Sequence, residues 1–142
     1  MPTPALRLLL VEDSAIREER IRLWLPPEVH MVWAKSAGAA IGVLQRDRGR
    51  TYAGLRLDHD LQQQVRGGAD GELTGQDVVL KVIEVIDKDV PILVHSMNDA
   101  GGAAMAGQLE KAGFEVTRWP WADMSKGVFE RWLEEVREWT EE

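Results

Sequence analysis

Four short clusters in this 142-residue chain hold residue types able to do chemistry: Glu12-Asp13, Asp58-His59-Asp60, His95-Ser96 with Asn98 and Asp99, and Arg118-Trp119-Pro120-Trp121. Carboxylates brought together repel one another unless a cation neutralises them. Hard divalent ions such as Mg2+ take carboxylate, carbonyl and water oxygens, so Glu12, Asp13 and Asp58 read as a metal site if the fold converges them. Histidine serves as a general acid or base near neutral pH, or as a metal ligand, which makes His59 and His95 candidates. A lone acid of this kind is ordinarily a helix cap or a solvated loop residue. The case for chemistry rests on the whole set lying together.

The intervening sequence supplies elements that would gather the clusters. Leu6–Val11, Val29–Ala34, Gly54–Asp58, Val90–His95 and Phe114–Trp119 are short apolar runs that read as buried strands. Ser14 caps a helix reaching about Leu25, with Ile16, Ile21, Trp24 and Leu25 as its apolar residues, and Pro26-Pro27 stops it. Ser36 caps a second helix through Leu44. Thr74-Gly75-Gln76-Asp77 has capping-box spacing and opens a third. Gly101–Ala112 reads as a fourth, ended by Gly113, and the fifth runs from about Ser125 to Trp139. Residues 62–73 lack periodicity and read as a loop. Strands alternating with helices predict an α/β fold, a doubly wound five-stranded parallel sheet of (βα)5 type, in one domain spanning 1–142. In such sheets ligands bind outside the carboxyl ends of the strands, where all four clusters fall. Asp58 and His59 start on opposite faces, because side chains alternate along a strand.

Composition excludes several other classes. The chain has no cysteine, so disulfide scaffolds, thiol nucleophiles and cysteine-ligated zinc are excluded. Lys and Arg total 17 against 24 Asp and Glu, a net of −7, which argues against gripping DNA through its phosphates. No apolar run approaches bilayer length and the start lacks a signal-peptide pattern, so a cytoplasmic protein without membrane contact is expected. No GxGxxG or P-loop pattern is present, and Gly101-Gly102 alone is a weak phosphate signal. Six Trp stand against one Tyr and two Phe.

The clusters resemble the receiver domain of bacterial response regulators, a flavodoxin-like fold. Leu9-Leu10-Val11-Glu12-Asp13-Ser14 is similar to the receiver's first strand with its acidic metal-binding pair. Asp58 takes the phosphoacceptor position, and Asp60 the position whose backbone carbonyl reaches the metal. Gly75 opens the third helix, and Pro91-Ile92-Leu93-Val94-His95-Ser96 matches the fourth strand, with Ser96 at the hydroxyl position. Receivers carry a lysine before a proline after strand five, where this chain has Trp119-Pro120. Leu57-Asp58-His59-Asp60-Leu61, Thr74-Gly75-Gln76-Asp77 and His95-Ser96-Met97-Asn98, with Gly101 or Gly102 and Met105, resemble an offshoot, the cyclic-phosphate processing receiver family.

That resemblance implies a metal-dependent phosphohydrolase or phosphodiesterase acting on a cyclic phosphate or nucleotide. The implied cofactor is a divalent metal, Mg2+ first and Mn2+ or another transition metal as alternatives, on Glu12, Asp13, Asp58 and Asp60. His59 and His95 would move protons, and Ser96 and Asn98 would donate to the phosphate. Arg66, Thr74, Gly101, Gly102 and Trp119 would line the substrate, with Trp119 and Trp121 as a stacking wall for a base or as core closure under the last helix. The alternative is a signalling receiver phosphorylated on Asp58 by a histidine kinase. Two others remain open: a ligand-binding module without catalysis, and a transition-metal site of His59, His95 and Asp58 or Asp60. Trp132 and Trp139, on the last helix in register with Val128 and Val136, are expected to cover the sheet or a partner chain, and the receiver resemblance implies a homodimer through the fourth and fifth elements as a further expectation.

Overall fold

The computed structural model describes residues 6–47, 49, 51–58, 75–96 and 99–141. Five strands, β1 (Leu6–Val11), β2 (Val29–Ala34), β3 (Gly54–Asp58), β4 (Ile92–Ser96) and β5 (Val116–Pro120), form one sheet. Its order is β2-β1-β3-β4-β5, and every pair is parallel. The helices are α1 (Ala15–Leu23), α2 (Ala37–Leu44), α3 (Gly75–Val85), α4 (Asp99–Lys111) and α5 (Lys126–Glu141), with a one-turn 3-10 helix at Trp121–Asp123. The fold is therefore the doubly wound, flavodoxin-like receiver arrangement that the alternation of apolar runs predicts.

Strand alternation divides the core into two layers. Leu9, Val11, Leu55, Leu57, Ile92 and Val94 pack under α2, α3 and α4, while Leu8, Leu10 and Leu93 face α1 and α5. Each fully buried leucine is worth about 2 kcal/mol of transfer from water. Ser14 Oγ accepts the Arg17 N–H at 3.2 Å and Ser36 Oγ accepts the Ala39 N–H at 3.0 Å, which starts α1 and α2 where expected. Gly113 ends α4 at φ 106°, a left-handed conformation that an L side chain resists.

Several expected boundaries differ. Val90 belongs to a turn, its N–H on Asp87 O, and β4 starts at Ile92. Phe114 donates to Leu109 O at the end of α4, so β5 starts at Val116. Helix α4 begins at Asp99, two residues before the expected Gly101, which places Gly101 and Gly102 in its first turn. Ile16, expected on the buried side of α1, is 74 % exposed. Trp132, on α5, is buried against Leu93 and Phe129, and Trp139 packs against the α2–α4 layer, so both cover the sheet, one of the two roles expected of them. Among the described residues no helix is long and apolar enough to cross a membrane.

Candidate phosphoryl site

The candidate site grows out of β1. Glu12 extends the Leu8–Leu10 alternation onto the α1/α5 face, and its backbone is held on both sides. Its N–H donates to Ala34 O at 3.1 Å, and its carbonyl accepts Trp33 Nε1 at 2.7 Å. Two residues on, Ser14 caps α1, and the first turn of that helix brings Arg17 back over the strand end.

Arg17 joins the acids. Its Nε and Nη2 donate to Glu12 Oε1 and Oε2 at 2.8 and 2.9 Å, a bidentate pair. The same Nη2 reaches Asp13 Oδ1 and Asp58 Oδ2, each at 3.4 Å. Glu12 Oε1 is also 2.9 Å from His95 Nε2, and Oε2 accepts the Ser14 N–H at 3.0 Å. A carboxylate offers about four lone-pair positions, so Glu12 is fully engaged. Three carboxylates from β1 and β3 thus face one guanidinium at the carboxyl edge of the sheet.

Burial by itself would raise the Glu12 pKa, but the hydrogen bonds from His95 and Arg17 outweigh it and hold the carboxyl well below its ordinary range. Burial lowers His95, against the pull of Glu12. An anionic Glu12 beside a neutral imidazole puts the ring proton on Nε2. Nδ1 is then a bare acceptor, buried and without a hydrogen-bond partner among the described residues. Trp121, in the turn after β5, lies over this ring at 5.6 Å between centroids and 6.0 Å from the Arg17 guanidinium carbon. It stacks in turn on Trp24, the C-cap residue of α1, at 6.3 Å.

The Asp13 and Asp58 oxygens that share one Arg17 nitrogen are of the type a hard divalent cation takes. One ligand atom each of Glu12, Asp58 and His95 lies within 4.8 Å of the others, all three buried, with Asp13 alongside through Arg17. A second cation sits deeper. Arg56, two residues before Asp58 on the same face of β3, is fully buried. Its Nη2 meets only Met124 Sδ at 3.4 Å, its Nε and Nη1 have no partner among the described residues, and its guanidinium faces the Phe129 and Trp132 rings at 5.0 and 5.9 Å.

Of the expected site residues, the structure brings together Glu12, Asp13, Asp58 and His95. Ser96 follows His95 and so faces the opposite side, buried beside Gly102, whose added Cβ would stand 3.1 Å from Ser96 Cβ. Trp119 donates its Nε1 to Asp123 O at 2.9 Å and lines a groove under α5 with Thr117, Val128 and Arg131; Trp121 is the indole that lies against Arg17 and His95. His59, Asp60, Arg66, Thr74, Asn98 and the 62–73 loop lie outside the described residues. Sequence reasoning missed Arg17 and Arg56. Arg17 had a signal, a basic residue one turn into a capped helix and four residues after Asp13. Arg56 had none.

The profile of the family described as cyclic-phosphate processing receiver domain matches residues 7–111. Among solved structures, the chain is similar to the receiver domain of a sensor histidine kinase from Pseudomonas aeruginosa PAO1, which holds a magnesium ion coordinated in its active site cleft. The identity is 17 %, covering 97 % of this chain and 99 % of that one, with a TM-score of 0.68. A CheY-like response regulator receiver domain protein from Methanospirillum hungatei shares 13 % identity over 96 % of this chain and 98 % of its own, TM-score 0.70. The response regulator domain of Thermotoga maritima CheB shares 18 % over 94 % and 95 %, TM-score 0.64. At these identities the likeness establishes the receiver fold. No curated protein matches the chain.

Proposed function

Because the chain belongs to the cyclic-phosphate processing receiver domain family, we propose that residues 1–142 act as one receiver module in which the Asp58 carboxylate accepts a phosphoryl group beside a divalent cation. The observation that supports this most is the convergence of Asp58, Asp13 and Glu12 on one guanidinium at the carboxyl edge of the sheet. An Asp58 oxygen bonds phosphorus as the bond from phosphorus to the donor's oxygen or nitrogen breaks and the donor leaves. The donor is a histidine kinase or a small acyl phosphate. Asp13 and Asp58, with the Asp60 carbonyl, would hold the cation, Mg2+ in this reading, and it would neutralise phosphoryl oxygens. Glu12, with its oxygens already engaged, is a positioning residue that sets His95 and Arg17.

The test is adduct formation with beryllofluoride or acetyl phosphate in the presence of Mg2+. An adduct that disappears in Asp58→Asn is the expected result. No adduct on the wild-type chain, or one that survives Asp58→Asn, overturns the reading.

A second reading, metal-dependent hydrolysis of a cyclic phosphate by His59 and His95 with Ser96 and Asn98 as phosphate donors, is favoured by the family match and by Trp119 at the place of the receiver lysine. The burial of both His95 nitrogens, one of them on anionic Glu12, weighs against that residue as its proton carrier. A screen of linear and cyclic nucleotides with several divalent ions decides it. Turnover lost in both Asp58→Asn and His95→Ala would replace the phosphoacceptor reading with the hydrolytic one.

A further inference from the structure

We infer that Arg17 binds the phosphoryl oxygens of a group held at Asp58, so that the oxyanion-holding cation of this site comes from α1 rather than from β5. The inference rests on the phosphoacceptor reading of Asp58.

Four observations carry it. Arg17 already stands at the acceptor, with Nη2 at 3.4 Å from Asp58 Oδ2. Only part of its donor fork is used: Nε and Nη2 serve Glu12, while Nη1 makes no hydrogen bond among the described residues and the side chain keeps 19 % of its surface in solvent. A guanidinium presents its donors in a rigid planar array that suits phosphate, so the two Nη1 N–H groups are available to an incoming anion. The group is also held in place. Glu12 grips it bidentately, the Ser14 cap fixes its backbone, and Trp121 covers it at 6.0 Å, so little side-chain freedom is left to lose on binding. Its hydrogen bond to Glu12 raises its pKa further, so it stays charged at every working pH.

The β5 side offers no equivalent. The residue at the strand end is Trp119, with its indole N–H on Asp123 O. Arg118 alternates to the other face of β5, and its Cδ lies close to Gly102 on the α4 side. Charge also favours arrival of an anion together with a divalent ion. One guanidinium against three carboxylates leaves the pocket negative, a divalent cation offsets that excess, and a phosphoryl group brings about two negative charges that Arg17 then shares.

The experiment is a beryllofluoride titration at saturating Mg2+, read by intrinsic tryptophan fluorescence, on wild type, Arg17→Met, Arg17→Lys and Asp58→Asn. A parallel titration uses Mg2+ alone. The expected result is a weakening of about tenfold or more in Arg17→Met and a smaller but clear weakening in Arg17→Lys, which keeps the charge and loses the fork. Mg2+ affinity holds or tightens in Arg17→Met, where a competing cation has gone, and holds in Arg17→Lys, where the charge remains. Circular dichroism checks the fold, and if Arg17→Met is unfolded, Arg17→Lys decides. Beryllofluoride affinity equal to or above wild type in the folded Arg17 variants overturns the inference and leaves the Asp58 reading standing. A wild-type chain that binds no beryllofluoride, or binding that survives Asp58→Asn, overturns both.

Discussion

Replacing Arg56 by methionine should make this protein more stable. Burial pushes the Arg56 guanidinium well below its usual range, down to about 9, with the Glu12 charge only partly opposing, which corresponds to on the order of 5 kcal/mol against the charged form. The stabilising contacts of that charge are the faces of Phe129 and Trp132 at 5.0 and 5.9 Å, each worth about 2 kcal/mol when desolvated. The single bond to the Met124 thioether adds little, and Nε and Nη1 remain unpaired among the described residues. Desolvation is therefore at least a match for the ring contacts, and a methionine would fill the stem's volume without the charge. Arg56→Met is expected to gain about 1–3 kcal/mol in urea unfolding at pH 7, with an unchanged m-value. The pH dependence supplies a second reading of the same quantity. From about pH 9 upward the unfolded chain holds a proton on Arg56 that the folded chain has released, so wild-type stability gains from this residue as pH rises above 9. The gap between variant and wild type should narrow there. A variant less stable than wild type by more than about 1 kcal/mol would show that the ring contacts, or a buried partner, outweigh desolvation.

Two further outcomes follow from the geometry. Burial lowers His95, so below its ordinary 6.5 the unfolded chain takes up a proton that the folded chain refuses, and stability falls as pH drops. His95→Gln keeps a donor for Glu12 and should lose less stability between pH 7 and pH 5 than wild type; an equal or larger loss, in paired urea titrations, would mean that Glu12 wins over burial. Gly54→Ala puts a Cβ at 2.9 Å from Trp132 Cη2 and 3.0 Å from Val136 Cγ2, and overpacking of this kind costs about 1–3 kcal/mol. A melting temperature unchanged in Gly54→Ala would mean that α5 shifts freely.

The first three strands are legible to the residue because buried parallel strands read as unbroken apolar runs bounded by caps and turns. Apolar residues alone do not make a strand, however. Val90 and Phe114 are buried yet sit in a turn and a helix end, which displaced the start of the last two strands. Ile16 shows the converse, an apolar residue at a helical position that the packing of α1 leaves in solvent. The acidic half of the site was readable because the topology forces strand ends to one edge. Its basic half was not. Arg17 reaches Glu12 across a helix turn rather than along a strand, and Arg56 occupies a strand position where alternation gives burial without saying what is buried.

The separations along the chain also dictate an order in time. Arg17 lies five residues from Glu12 but 41 from Asp58, and β3 must pair with β1 before those two meet. Closing a short segment is entropically easier than closing a long one, and non-local parallel pairing forms slowly. The guanidinium is therefore expected on Glu12 before the β3 carboxylate arrives, so that Asp58 docks onto a neutralised partner instead of a bare anion. Arg17 then governs how fast the nascent sheet closes as well as what the finished edge binds. In stopped-flow refolding at low ionic strength, Arg17→Met should close more slowly than wild type and recover speed as salt screens the acids. Equal refolding rates at low salt would mean that the strands join before the acids are close enough to repel.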